Sequence, residues 1–225
     1  MLPLTTKSVK YNPTQDFKPV ARLTSFYEAV SLPSTVPAAS IAQWLDLARK
    51  DPKAANFGVP ASGSVSHFLG YRLGQDNKVG LQAIPYKGAA PLVQDLLGGQ
   101  IQAGILPILD VAQHHHSGKL KVLAVNGQKR AQLLPNVPTL NELGIGGFDE
   151  LEWTALLAPP ATDKPVVDRL NAAVRKVLAS SDIQERLLKL GMESNPSTPE
   201  ELGRIIAADL AGWGPVVKSS GFTVD

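Results

Sequence analysis

Between about residues 40 and 126 the hydrophobic period switches repeatedly between that of a helix and that of a strand, and this alternation limits the fold more than any other feature of the chain. Ile41, Trp44, Leu45 and Ala48 recur at helical spacing behind Ser40, a suitable N-cap, and Asp51-Pro52 ends the run. An extended run at Ala54–Val59 leads through Pro60-Ala61-Ser62-Gly63-Ser64 into a second helix carrying Phe68, Leu69 and Leu73. Val79–Pro85 reads as a strand, Pro91–Leu97 as a helix closed by Gly98-Gly99, and Ile101–Leu106 as a strand. Pro107–His116 reads as a helix closed by Ser117-Gly118, and Lys119–Val125 as a last, strongly apolar strand. Four strands alternating with helices over short connections predict an α/β fold, a parallel sheet covered by helices on both faces. Ligands of such sheets bind at the carboxyl ends of strands, where loops run into helix N-termini.

The flanking segments are less regular. Asn126–Gly147 holds Pro135, Pro138, Gly144, Gly146 and Gly147 and reads as a surface connection, with one short helix marked by the capping box Thr139-Leu140-Asn141-Glu142. Trp153–Pro159 reads as a buried strand. Asp163 then caps a helix through Val166, Leu170, Val174 and Val177, and Ser181-Asp182-Ile183-Gln184 opens its continuation to Gly191. Thr198 as N-cap, Pro199 at N1 and Glu201 at N3 start the last helix, whose apolar face is Leu202, Ile205, Ile206, Leu210 and Trp213. Near the other end, Val20–Val30 reads as one strand behind an irregular lead-in. One strand, Trp153–Ala158 and three helices are too little for a well-formed second lobe, which is expected to be minimal or incomplete.

Composition narrows the function classes. At 225 residues the chain can hold one large domain or two small lobes, and 44% hydrophobic against 19% charged residues excludes a disordered chain. A formal net charge of +2 gives no electrostatic reason to expect a nucleic-acid partner. With no cysteine there is no disulfide, thiolate metal site or cysteine nucleophile. Met1–Lys7 lacks a basic segment followed by an apolar one, so no export signal is read in this chain.

Two loops carry the chemistry. In Ala61-Ser62-Gly63-Ser64-Val65-Ser66-His67 a strand ends, a small-residue turn follows and a helix begins, so backbone N–H groups and hydroxyls converge as they do where carboxylates and phosphates are held. Ordinary N-capping by Ser62 or Ser64 explains the same residues, and on this segment alone both readings stay open. Pro85-Tyr86-Lys87-Gly88-Ala89-Ala90-Pro91 repeats the arrangement one strand–helix unit later. No Gly-x-Ser-x-Gly elbow, phosphate loop or dinucleotide fingerprint is present, and of the carboxylates only Asp110 is read at a strand end. Three consecutive histidines, His114–His116, point about 100° apart on a helix and cannot face one ion. No catalytic residue, metal or cofactor is expected.

In order along the chain, several segments resemble the tripartite tricarboxylate transporter receptors, the Bug-type solute-binding proteins. They are Tyr11–Val20, Gly63–His67, Pro85–Pro91, Asp95–Gln100, Gly118-Lys119-Leu120, Lys129-Arg130 and Pro135–Thr139, then Trp153 with Leu156–Pro159, Val167–Asn171 and Trp213. The resemblance implies a two-lobed periplasmic-binding-protein fold of type II, a Venus flytrap with parallel-core sheets flanked by helices. It implies a periplasmic protein that closes over a small carboxylate, an organic acid or amino acid, and hands it to the membrane permease subunits of a tripartite transporter. By matching position, the ligand-facing residues would be Ala61, Ser62, Gly63, Ser64, Ser66 and His67, then Tyr86, Lys87, Gly88 and Ala89, with Leu106 at the next strand end.

The same resemblance divides the chain. Residues 1–25 would be a remnant of lobe one with the first crossover strand, 26–150 a complete lobe two, and 151–225 the return strand and C-terminal helices of lobe one. Lobe one is thus expected to be incomplete, lacking the family's first strand–helix units. The alternative is a truncated, non-binding remnant or an oligomerising interaction module, with the exposed edges of lobe one covered by a partner or by a second copy in a homo-oligomer.

Overall fold

The structure, a computed structural model, describes residues 1–224. From the N-terminus the elements are α1 (Leu2–Thr5), β1 (Lys18–Phe26), β2 (Glu28–Pro33), α2 (Ile41–Lys50), β3 (Asn56–Val59) and α3 (Val65–Asp76). Then come β4 (Gln82–Pro85), α4 (Ala89–Leu97), β5 (Gly104–Pro107), α5 (Ile108–His116) and β6 (Leu120–Val125). After a short 3-10 turn at Asn141–Leu143 follow β7 (Glu152–Ala158), α6 (Lys164–Leu178), α7 (Ser181–Lys189), β8 (Glu193–Ser194) and α8 (Pro199–Ser220). These form two compact units: Tyr27–Glu152, and Met1–Phe26 together with the chain from Trp153 onward.

The uninterrupted unit is a five-stranded sheet in the order β4-β3-β5-β2-β6. β3 runs parallel to β4 and β5, whereas β2 is antiparallel to β5 on one side and β6 on the other. The four strands expected to run parallel, β3 to β6, do share one direction; β2, inserted between β5 and β6, runs against them and makes the sheet mixed. The reading of Val20–Val30 as one strand fails. The run breaks at Tyr27, whose carbonyl accepts from the Ile108 N–H at 2.9 Å, and its halves join different sheets.

Alternate residues sort into two cores. Val30, Phe57, Val59 and Ile105 pack with Trp44, Leu45, Leu69 and Leu73 of α2 and α3. Ala29 and Leu106 pack with Leu92 and Leu96 of α4 and Ile108 and Val111 of α5. The helix starts follow the local chemistry: Ser40 accepts from the Gln43 N–H, and buried Trp44 donates its indole N–H to the Ala54 carbonyl at 3.0 Å. α4 lies so close to β3 at Gly58 that a Cβ there would stand 2.1 Å from Leu92 Cδ1. The Thr139–Glu142 box forms in both directions but caps only the 3-10 turn.

The second unit has a three-stranded sheet, β7-β1-β8. The two-residue β8, too short for periodicity to register, pairs antiparallel with β1 at Thr24 and Ser25. β7 is not the buried strand expected: only Ala158 is buried, because β7 sits at a sheet edge. Val20, Ala158 and Val167 form the core. Buried Asn171 of α6 donates to the carbonyls of Val20 and Ser197, at 2.8 Å each, and so ties β1 to the turn before α8. The capping box of α8 is complete, with the Glu201 N–H on Thr198 Oγ1 and the Thr198 N–H on Glu201 Oε2. Asp163 precedes α6 as expected but makes no capping hydrogen bond.

Candidate functional site at the carboxyl edge of the five-stranded sheet

The two predicted loops lie side by side. Val59 pairs with Pro85, the Tyr86 N–H donates to the Val59 carbonyl at 2.9 Å, and the Gly88 N–H to the Pro60 carbonyl at 2.8 Å. Gly58 pairs with Gly104, which brings the end of β5 to the same edge.

In the first loop Ser64 is the N-cap of α3: its hydroxyl accepts from the His67 N–H at 3.3 Å and donates to the Ala61 carbonyl at 2.8 Å. The Gly63 N–H donates to His67 Nδ1 at 3.1 Å, so neutral His67 carries its proton on Nε2. The imidazole stacks on Phe68 with centroids 5.0 Å apart, and its partial burial lowers its pKa. Ala61 and Ser62 are exposed, while Gly63 and Ser66 are buried.

In the second loop Gly88 precedes α4 with φ +99°, a conformation that disfavours a side chain, and α4 begins with no side-chain cap. Lys87 is exposed. Tyr86 donates its hydroxyl to Asp95 Oδ2 at 2.8 Å, and burial together with that neighbour pushes the phenol up to about 12. Tyr86 thus braces the loop against α4. Leu106 is fully buried in the core, so only its backbone reaches the edge. α5 also starts without a side-chain cap, behind Pro107. The first N–H groups of a helix have no acceptor within it; although the Ile108 N–H is taken by the Tyr27 carbonyl, two starts without a side-chain cap on one sheet edge offer further neutral donors and dipole ends suited to a carboxylate.

Sequence reading missed Glu28. Taken as part of a single strand it drew no notice, but the break at Tyr27 makes it the first residue of β2, paired with Pro107 at the end of β5. It is 1% exposed, and neither carboxyl oxygen has a hydrogen-bond partner among the described residues. Its backbone is held on both sides by Asn126, whose Oδ1 accepts from the Glu28 N–H at 2.8 Å and whose N–H donates to the Glu28 carbonyl at 3.1 Å. Burial first, then the neighbouring Glu152 carboxyl, raise its pKa well above the ordinary range; Asp110 adds to the effect and the Ser66 hydroxyl opposes it. Asp110 is therefore not the lone carboxylate at a strand end. Partial burial raises its own pKa too.

The histidine run resolves differently. His115 Nδ1 accepts from the Val122 N–H at 3.2 Å and fastens α5 to β6. Among the described residues no three His, Asp or Glu side chains are grouped to hold a metal ion. A cavity of about 490 Å³ lies in the other unit, lined by Leu23, Val174, Val177, Leu178, Leu187 and Met192 among others, with no titratable group in its wall.

The sequence pattern of the tripartite tricarboxylate transporter family receptors matches residues 1–222. The chain is 31% identical over 206 residues to the UPF0065 protein of the tcbD-tcbE intergenic region of Pseudomonas sp. strain P51, covering 91% of this chain and 61% of that protein. It is 34% identical over 170 residues to BugT of Bordetella pertussis, covering 76% of this chain and 52% of BugT. The chain thus spans 52% to 61% of the length of these two curated relatives. Among solved structures, R. palustris Rpa4515 with adipate superposes with a TM-score of 0.86 at 30% identity, covering 98% of this chain and 74% of the other. MatC of Rhodopseudomonas palustris with bound malate gives a TM-score of 0.80 at 30% identity, covering 93% and 72%.

Proposed function

The chain belongs to the tripartite tricarboxylate transporter receptor family, and we propose that it is a solute receptor that captures a small carboxylate and delivers it to the membrane permease subunits of such a transporter. Its compartment is the periplasm, as membership of the family implies. The ligand-facing residues are Ala61, Ser62, Gly63, Ser64, Ser66, His67, Tyr86, Lys87, Gly88, Ala89 and Leu106. Tyr86 acts by bracing its loop and Leu106 by its backbone alone.

The observation that carries this reading is the pair of uncapped helix starts, α4 behind Gly88 and α5 behind Pro107, on one sheet edge. They leave neutral backbone donors where a carboxylate gains hydrogen bonds and dipole stabilisation without a paired Arg or Lys. Solved neighbours holding adipate and malate make dicarboxylates the first compounds to try.

The test is calorimetry and thermal shift on the full chain against adipate, malate, other dicarboxylates, amino acids and aromatic acids. A ligand at a hundred times its Kd stabilises the folded state by about 2.7 kcal/mol, a readily measured shift. Absence of stabilisation by every compound would overturn the proposal.

A further inference from the structure

We propose that Glu28, flanked by Asp110 and Glu152, forms an acidic subsite that takes a protonated nitrogen of the ligand, so that the carboxylate captured by this receptor also carries an amine. The inference rests on the receptor reading above and narrows its substrate class.

The geometry begins with the break at Tyr27, which puts Glu28 at the carboxyl edge of the sheet, across from Pro107 and beside the start of α5. Alternation along β2 assigns Ala29 to the α4–α5 face and Val30 to the α2–α3 face, so Glu28 shares the face of Ser66 in the first turn of α3. Asn126 fixes the spot from both sides: it bonds the Glu28 backbone in both directions, and its Nδ2 donates to the Glu150 carbonyl at 2.5 Å, two residues before Glu152.

Buried polar groups in folded proteins are nearly always paired, and an unpaired buried carboxyl is costly enough to need an explanation. Of the three buried side-chain oxygens without a partner among the described residues, two belong to Glu28 and the third is the Ser31 hydroxyl. Every titratable group acting on Glu28 is itself acidic: Glu152 at the start of β7 and Asp110 in α5. Ser66 of α3 adds only a hydroxyl, and no Lys or Arg bears on it. Asp110 and Glu152 are partly exposed, whereas Glu28 is buried. A buried carboxyl whose titratable neighbours are acids suits a cation, and an organic ammonium can pair with Glu28 alone, without the three converging ligands that are not found among the described residues. Burial and its acidic neighbours favour the protonated form of Glu28 over the charged one. When an ammonium group arrives, Glu28 becomes the carboxylate that pairs with it, the ammonium keeps its protons, and the Glu28 proton passes to solvent.

The experiment is isothermal titration calorimetry on the full chain with matched acids differing only in an amine: succinate and aspartate, glutarate and glutamate, adipate and 2-aminoadipate. Each is measured in two buffers of different ionisation enthalpy. For at least one pair the aminated member is expected to bind ten-fold or more tightly than its partner, with release of a proton. Glu28→Gln is expected to abolish both the preference and the proton release, and the more exposed change Glu152→Gln to weaken the preference. If plain diacids bind as well as their aminated partners, or if the preference survives in Glu28→Gln, the subsite is refuted while the receptor reading stands. Proton uptake on binding would also refute it. If no member of any pair binds, the receptor reading fails and takes the subsite with it.

Discussion

Glu28, the first residue of β2, lies directly across the strand pair from Pro107, the last residue of β5. A carboxyl group in that place, buried and without a hydrogen-bond partner among the described residues, makes the stability of the fold depend on pH. A free Glu ionises near pH 4.3, whereas burial and Glu152 hold folded Glu28 well above its ordinary range. The stability gained from keeping that proton is full below the unfolded value and is lost as pH rises through the folded one. Glu28→Gln cannot ionise, so it should unfold at a higher temperature than the parent chain at about pH 8, with the difference vanishing near pH 4. Thermal melts across that range check this, and a difference independent of pH would contradict it.

His67 responds in the opposite sense. Burial lowers its pKa, and its Nδ1 is occupied as an acceptor for the Gly63 N–H. Its contribution is present above the free imidazole value of about 6.5 and is lost as pH falls through the lower folded value. An NMR titration should place the His67 midpoint below about 6.5, and His67→Gln should flatten part of the acid-side loss of stability. A midpoint at or above the free value would dismiss the idea.

The contact between α4 and β3 sets a steric limit at Gly58. A methyl group added there meets Leu92 Cδ1 at 2.1 Å, and overpacking of this kind costs about 1–3 kcal/mol. Leu92→Ala alone removes core contacts and costs about 2–5 kcal/mol. Because the new methyl partly fills that space, the double variant Gly58→Ala with Leu92→Ala should lose clearly less than the sum of the two. Denaturant melts of the four chains decide it; simple additivity would mean the clash is relieved elsewhere.

In the other unit the side chain to remove is Asn171. Replacement by Leu keeps the approximate size but strips the donor from two carbonyls, those of Val20 and Ser197. Leaving buried acceptors unpaired costs about 1–3 kcal/mol each, so a loss of about 2–6 kcal/mol in urea unfolding is expected. A loss under about 1 kcal/mol would mean that water replaces the donor.

Much of the fold was legible in the alternation, because helix and strand periods are local properties of the chain. Ser40, Ser64 and Thr198 cap the helices expected of them, and α2 to α5 arise where the apolar spacing put them. What period cannot convey is direction or interruption. The antiparallel course of β2 and the break at Tyr27 lie inside a run that looks continuous, since residues on both sides of the break are buried. Glu28 was hidden for the same reason: its meaning depends on Pro107, 79 positions further on and its partner across the strand pair (107 − 28 = 79). His115 is a milder case. Its triplet suggested only an exposed helix end, whereas its ring bonds the backbone of Val122.

One unit is a single stretch, Tyr27–Glu152, and the other is assembled from chain on either side of it. Domains emerge from the ribosome in order and fold as they become complete. The five-stranded sheet therefore has all its strands as soon as Val125 has left the exit tunnel. β1 is made earlier but finds its neighbours only when β7 and then β8 have been translated, so Thr24 waits for Ser194. Among the described strands, β1 is thus the earliest in sequence and the one whose partners lie furthest along the chain.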